Sequence, residues 1–111
     1  LFRDDVTDYE MNAHALKLTQ KRIVDESIDG QTPGAATSIM KVMSTDLQKV
    51  RTELLAALRG TQGYGWEGEG FTPDELDSTR QWLSSRAASI YSGSNEIQRN
   101  IIAKRVLGLP D

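Results

Sequence analysis

The stretch Ser92-Gly93-Ser94 is one of two places where this sequence could bind a ligand through its backbone. It directly precedes a helical pattern, so its amide groups would lie at the positive end of a helix dipole and could bind an anion or a ribose. Gly93 permits a backbone conformation that other residues resist. The alternative is ordinary capping, in which Ser94 or Asn95 accepts a hydrogen bond from the first turn, and the local sequence alone favours capping.

The second place is the stretch from Gly60 to Gly70, in which five of eleven residues are glycine. Glycines leave backbone amides unshielded, so such a loop could approach a phosphate closely. The same composition is typical of a flexible connection between helices, and the glycines alone favour that interpretation.

Side chains arranged for covalent, acid–base or metal chemistry are not recognisable. The chain has no cysteine, which excludes disulfides and thiolate metal sites, and its single histidine, His14, has no carboxylate motif around it and is interpreted as a surface residue. The net charge of −3 provides no basic field for nucleic acid or an anionic membrane. No apolar run approaches the length that a bilayer requires. We therefore predict no metal site, no nucleic-acid partner and no membrane span.

The other basic and aromatic side chains have simple structural interpretations. Arg99, Lys104 and Arg105 would form a solvated basic side of the last helix. Trp66 and Trp82 are interpreted as packing or interface residues rather than as stacking partners for a cofactor.

Helical periodicity predicts two long helices in the first half of the chain, from about Asp5 to Asp29 and from about Ala35 to Arg59. Gly30 suits the end of the first helix, and Thr32-Pro33 cannot continue it. The apolar stripes on both helices are broad, which suggests that further helices, from missing sequence or from another subunit, complete the core.

A third helix has a strong start signal, because Thr72 can cap it, Pro73 fits its first position and Glu75 completes a capping box. Its predicted inner face consists of Leu76, Leu83, Ala87 and Ile90. A fourth helix is predicted from about Asn95 to Leu107. Since no strand alternation competes, the sequence predicts an all-α fold, an antiparallel up-down helical bundle.

The end of the chain resembles a known family. Residues 92–110 read SGSNEIQRNIIAKRVLGLP, which resembles the C-terminal signature of the acyl-CoA dehydrogenase family, typically GTSEIQRNIIA followed by a basic residue and VLGLP. Residues 59–65 resemble the family's Gln-x-x-Gly-Gly-x-Gly loop, with Arg59 in place of the glutamine and Gln62 in place of the first paired glycine. The resemblance extends over nearly the whole chain, and Leu1 stands where a complete chain would have methionine. We therefore expect residues 1–111 to be part of that family's C-terminal helical bundle domain.

The resemblance implies an enzyme that binds FAD and an acyl-CoA thioester. A carboxylate removes the α proton while the β hydrogen leaves as hydride to the flavin, and the electrons pass to a partner, usually an electron-transferring flavoprotein. Family members are commonly tetramers. We expect a cytoplasmic enzyme of fatty acid or lipid metabolism, assembled as a homotetramer or with a homologous subunit, and inactive as this fragment alone.

The resemblance also implies roles for individual residues. The positions that would approach the adenosine diphosphate end of FAD, partly across a subunit interface, are Arg59, Gly60, Gln62, Gly63, Ser94, Asn95 and Glu96. Gly93 matches a residue beside the acyl thioester. Arg59 could pair with the pyrophosphate, although a surface salt bridge is the simpler interpretation.

Ser92 occupies the position at which many family members carry the catalytic glutamate. A serine hydroxyl lacks the proton affinity for that role. In some branches the base lies on an earlier helix, which would precede Leu1, so no catalytic residue is assigned in this chain. The alternatives are a non-catalytic partner subunit of an active homologue and a helical oligomerisation module.

Overall fold

The computed structural model describes residues 1–30, 34 and 36–111, and the regular structure in these ranges is helical. The four α-helices are α1 (Arg3–Ile28), α2 (Ala36–Leu58), α3 (Pro73–Ser85) and α4 (Asn95–Ile101). Short 3-10 turns follow α2 at Gly60–Tyr64 and α3 at Arg86–Ser89, and a π-helical turn at Ile102–Val106 extends α4. The all-α prediction is confirmed, whereas the predicted break at Thr32-Pro33 lies outside the described residues.

Helix α2 is central and contacts each of the other three helices. Along α2, Thr52 is hydrogen-bonded to Ser85 on α3, and Lys41 is hydrogen-bonded to Asn95 at the start of α4. The partner's number rises as the number on α2 falls, so the chain from α3 to α4 runs antiparallel to α2. This arrangement agrees with the predicted up-down order.

Helix α3 begins where the sequence predicts. The Glu75 amide donates to Thr72 Oγ1 at 3.3 Å, and the Thr72 amide donates to Glu75 Oε2 at 2.8 Å. This reciprocal pair is a complete capping box, and Pro73 occupies the first helical position.

The buried face between α2 and the rest of the chain is made of small residues, of which half are polar. The buried residues are Ser38, Val42, Thr52, Ala56, Gly63, Gly65, Thr79, Ser85, Ala88 and Asn95. Thr52 meets Ser85 at the last residue of α3, where their hydroxyl oxygens lie 3.0 Å apart in a hydrogen bond. Small side chains let the two helix backbones approach closely, and their hydroxyls are satisfied within the contact.

The prediction of which residues form the inner face of α3 is wrong. Leu83 is 49% exposed and Ile90 is 68% exposed, and Ala87 is exposed as well. Leu76 alone of that set is half-buried. The buried residues of α3 are Thr79 and Ser85 instead: Ser85 is hydrogen-bonded to Thr52 on α2, and Thr79 to the Gly63 carbonyl of the loop that follows α2.

The shape of the chain is elongated for its size. Its principal extents are 54 × 26 × 25 Å and its radius of gyration is 17.4 Å, against about 13 Å for a compact domain of this length. The accessible surface is 7894 Å², whereas a compact monomer of this mass exposes about 6,100 Å². The difference is about twice the roughly 800 Å² that each partner buries in a typical specific interface.

Much of the excess surface belongs to α1, on which no residue is buried. Met11 is 66% exposed and Leu18 is 55% exposed. A groove of about 480 Å³ between α1 and α2 is lined by Phe2, Asp5, Asp8, Tyr9, Asn12, Leu47, Val50, Glu53, Leu54 and Ala57. The structure thus supports the expectation that further helices cover these faces.

We expect the isolated 111-residue chain to self-associate, because contact with another molecule removes its exposed apolar side chains from water. Light scattering over a concentration series should show a mass that rises above that of the monomer. Replacing Met11 and Leu18 together by glutamine should weaken the association, with Lys17→Gln as a control on the same helix. A monodisperse monomer at high concentration would contradict this expectation.

Candidate functional site

The turn before α4 has an unusual backbone. Ser92 has φ 57° and Gly93 has φ 86°, and Ser92 is the single non-glycine residue with positive φ in the described ranges. A left-handed conformation costs a residue with a Cβ about 1–2 kcal/mol. Such strain persists only where the surrounding contacts hold it. Both residues are exposed, so this turn presents its backbone to the outside of the bundle.

A polar network fastens this turn to α2. The Lys41 ammonium donates to the Gly93 carbonyl at 2.7 Å and to Asn95 Oδ1 at 2.8 Å. Asn95 Nδ2 in turn donates to Thr45 Oγ1 at 3.0 Å and to Asp46 Oδ1 at 3.3 Å. Asn95 is only 3% exposed, so its side-chain amide is used within the chain. A contact of Asn95 with FAD would therefore have to come from its backbone.

The first turn of α4 combines a cap with a nearby carboxylate. Ser94 Oγ accepts from the Ile97 amide at 3.4 Å, which confirms that Ser94 caps the helix. The pKa of Glu96 is lowered by its own backbone amide first and by the Ser94 hydroxyl second, with smaller contributions from the positive charges of Arg99 and Lys41. Glu96 is exposed. Its carboxylate is therefore available to accept hydrogen bonds from a ligand.

The glycine-rich loop is more ordered than its composition suggests. Gly63 is buried against α2, where a Cβ would lie 2.1 Å from the Ala56 carbonyl oxygen. Thr79 Oγ1 donates to the Gly63 carbonyl at 3.0 Å, which ties the same residue to α3. Gly63 therefore serves the packing of the loop, and its lack of a side chain is required for that contact.

Two other predicted loop residues differ in their surroundings. The side-chain Nε2 of Gln62 donates to the Gly70 carbonyl at 3.0 Å and to Glu75 Oε2 at 3.3 Å, so this side chain closes the loop onto the start of α3. Arg59 and Gly60 are exposed, and Gly60 has φ 58°. Of the four predicted loop positions, these two face outwards and the other two hold the loop together.

The structure brings the predicted site residues together as two separate groups. Ser92, Gly93 and Asn95 lie beside Lys41, near the start of α2, whereas the residues from 59 to 63 follow its last turn. Lys41 and Leu58 are separated along the helix by about 25 Å at the usual rise per residue. Within one chain the two groups therefore do not form a single pocket.

Lys41 is a site residue that the sequence analysis did not identify. The periodic pattern treated α2 as an apolar stripe, in which Lys41 stands between Met40 and Val42. The available sequence signal was a lysine between two apolar residues. In the structure this lysine is only partly exposed, as expected for a charge that has an ion-pair partner or a hydrogen-bonded carbonyl. Its partner is 52 residues away along the chain, so the pairing itself was not readable from spacing.

Residues 1–30, 34 and 36–111 contain no group of three or more histidine, cysteine, aspartate or glutamate side chains placed to hold a metal ion. Among the same residues, no helix is both long enough and apolar enough to cross a membrane.

Comparison with known proteins identifies the family. A family model described as the acyl-CoA dehydrogenase C-terminal domain matches residues 1–107. The match covers nearly all of the 111 residues, and it includes both the loop after α2 and the turn before α4. The chain belongs to the acyl-CoA dehydrogenase family.

Curated relatives carry the same family name. The chain is 42% identical over 84 residues to acyl-CoA dehydrogenase IpdE1 of Mycolicibacterium smegmatis, a match over 76% of this chain and 20% of that protein. It is 74% identical over 31 residues to IpdE1 of Mycobacterium tuberculosis, covering 28% of this chain and 8% of the relative. Acyl-CoA dehydrogenase FadE34 of Mycobacterium tuberculosis is 29% identical over 98 residues, which are 88% of this chain and 12% of that protein. The chain thus spans about a fifth or less of these relatives' lengths, and no solved structure matches it.

The contact between Gly63 and Ala56 predicts a large effect of a small substitution. Gly63→Ala should lower the free energy of unfolding by at least about 2 kcal/mol, because its methyl group meets a backbone oxygen that cannot turn aside. Gly70→Ala is the matched control in the same loop, since a Cβ there has no neighbour within 4 Å. Urea unfolding followed by circular dichroism should separate the two variants clearly. Equal midpoints would show that the loop does not pack on α2 as described.

The lowered pKa of Glu96 predicts a pH dependence. Because the folded pKa lies below the ordinary value of 4.5, ionised Glu96 stabilises the fold fully above pH 4.5. That contribution is lost as the pH falls from 4.5 through the lower pKa of the folded state. Ser94→Ala should move the pKa of Glu96 upwards, measured by carboxyl carbon NMR, whereas Ser84→Ala on α3 should leave it unchanged. An unchanged Glu96 pKa in Ser94→Ala would show that the Ser94 hydroxyl does not stabilise the Glu96 carboxylate.

Proposed function

We propose that this chain is part of the C-terminal helical bundle of an FAD-dependent acyl-CoA dehydrogenase, with residues 1–111 forming a partial bundle domain. The complete enzyme removes the α proton and the β hydride of an acyl-CoA thioester and passes the electrons to an electron-transferring flavoprotein or a similar acceptor. The proposal includes a homo-oligomer, such as a tetramer, a role in fatty acid or lipid metabolism and a cytoplasmic location.

The observation that carries the proposal is the turn at Ser92 and Gly93, which a hydrogen bond from Lys41 attaches to α2, within a family-matched sequence. Exposed backbone that is fixed in advance can hydrogen-bond a developing charge without reorganising during the reaction. Gly93 has no side chain of its own, and the neighbour beside it is the end of the Gln98 side chain, 2.8 Å from where a Cβ would lie, so a thioester could approach its backbone closely if that side chain turned aside. The turn therefore suits a position beside the acyl group.

Two exposed groups of residues, at the end of α2 and at the start of α4, are suited to contact FAD. At the end of α2, Arg59 and Gly60 are exposed, and a guanidinium beside an unshielded backbone is suited to a pyrophosphate. At the start of α4, the Glu96 carboxylate can accept hydrogen bonds from hydroxyl or amide groups. Bound FAD would supply the acceptor for the hydride that leaves the β carbon. Gln62, Gly63 and the Asn95 side chain would act indirectly, by shaping these two ends.

The catalytic base is proposed to lie outside this chain. Ser92 projects from an exposed turn, and a hydroxyl there cannot accept the α proton at neutral pH. The groups that this chain contributes would bind and orient the substrate rather than transfer the proton.

The proposal is tested by dehydrogenase activity of the full-length protein with a panel of acyl-CoAs and an artificial electron acceptor. Gly93→Ala should lower kcat/KM by at least about tenfold, since a misplaced acyl group loses near-attack geometry. Gly108→Ala is the matched control, because Gly108 also has positive φ, 64°, but lies in open space at the end of the chain. Complete inactivity of the wild-type enzyme despite bound FAD would reject the proposal.

Ser92 favours a second candidate, a partner subunit that supplies structure and flavin contacts to an active homologue. Co-expression followed by native mass measurement distinguishes the two. A stable and active homotetramer excludes the need for a partner, whereas activity that appears only with a homologous subunit supports it. The third candidate, a stand-alone oligomerisation module, is disfavoured by the exposed apolar side chains of α1, because a complete module would cover them.

A further inference from the structure

Lys41 makes two hydrogen bonds that differ in what they hold. Its bond to Asn95 Oδ1, at 2.8 Å, is one of several contacts that attach α4 to α2. The others are the bonds of Asn95 Nδ2 to Thr45 and Asp46, the bond of Thr45 Oγ1 to Asn95 Oδ1 at 3.4 Å, and the ion pair of Arg99 with Asp46 at 3.6 Å. Its bond to the Gly93 carbonyl, at 2.7 Å, has no such substitute. Among residues 1–30, 34 and 36–111, no other residue donates a hydrogen bond to that oxygen.

The Gly93 carbonyl determines where the next amide points. No cis peptide bond occurs in the described residues, and in a trans peptide the carbonyl and the following N–H point in opposite directions. Because Lys41 draws the Gly93 carbonyl towards α2, the N–H of Ser94 is directed away from α2. A charged donor on the carbonyl also polarises the peptide group and makes its N–H a stronger donor.

The turn needs such a restraint. Ser92 and Gly93 both have positive φ, and at Ser92 this conformation is strained. Without the ammonium, the Gly93–Ser94 peptide could rotate while α4 stayed attached through Asn95. Loss of Lys41 would therefore disturb the exposed turn more than the fold.

We infer that Lys41 is a positioning residue. It fixes the Gly93–Ser94 peptide in the orientation needed to bind the acyl-CoA thioester beside the flavin. The inference rests on the proposed function, because that function places the substrate beside Gly93. Lys41 itself does not touch the reacting atoms. It acts through the peptide that it holds.

The experiment uses the full-length enzyme with bound FAD and compares Lys41→Met with Lys41→Arg. Methionine keeps most of the side-chain length but donates nothing, whereas arginine keeps the charge and the donors. Lys21→Met is the matched control, because Lys21 also pairs with a side-chain oxygen, of Asp25, but lies on the exposed face of α1. We expect Lys41→Met to lower kcat by at least about tenfold with a smaller change in KM, in line with a loss of alignment rather than of binding. Lys41→Arg should recover most of the rate, and Lys21→Met should match the wild type.

A second readout does not depend on activity. Hydrogen exchange measured by mass spectrometry should become faster in the segment 91–97 of Lys41→Met, while the segment 73–85 keeps its wild-type exchange. Wild-type kcat together with unchanged exchange in Lys41→Met would overturn the inference, and so would an equal loss of rate in Lys21→Met. A wild-type enzyme that is inactive with every acyl-CoA would reject the proposed function instead. Faster exchange in the segment 91–97 would still establish the restraint in that case.

Discussion

Close packing on α2 is the constraint on which the other helices depend. Gly63 lies so near the Ala56 carbonyl that no side chain fits, and Thr52 meets Ser85 through a hydrogen bond between two small residues. Larger side chains at these contacts would move α3 outwards and would separate the loop from α2. The polar bonds between α2 and α4 continue the same face towards the start of α2. One helix therefore sets the positions of both exposed segments.

The sequence predicts the helices better than it predicts their packing. The periodic apolar pattern and the capping box at Thr72 placed the helices within a few residues of their observed bounds, because these signals are local. The inner face of α3 was predicted wrongly, since periodicity identifies the apolar side of a helix but not the neighbour that covers it. Leu83 and Ile90 are exposed in this chain although they follow the pattern of buried residues.

The candidate site could likewise be predicted from the sequence only in part. The breaks at Ser92-Gly93 and at the glycine-rich loop were readable because glycine and serine interrupt helical periodicity. That Gln62 and the Asn95 side chain are bonded within the chain was not readable, since their partners are set by the tertiary fold. Lys41 was missed for the same reason. The two exposed segments lie at opposite ends of α2, so a ligand that contacts both would extend along the helix or be shared between two chains.

Asn95 illustrates what a neutral amide achieves at a buried junction. Its oxygen accepts from Lys41 while its nitrogen donates towards Asp46, so a single side chain satisfies a cation and an anion at once. An aspartate has almost the same shape but would place a second carboxylate beside Asp46 with no proton to share above acidic pH. The hydrogen bond to Asp46 would then be replaced by repulsion between two like charges. The amide thus removes a titrating group from the joint between α2 and α4.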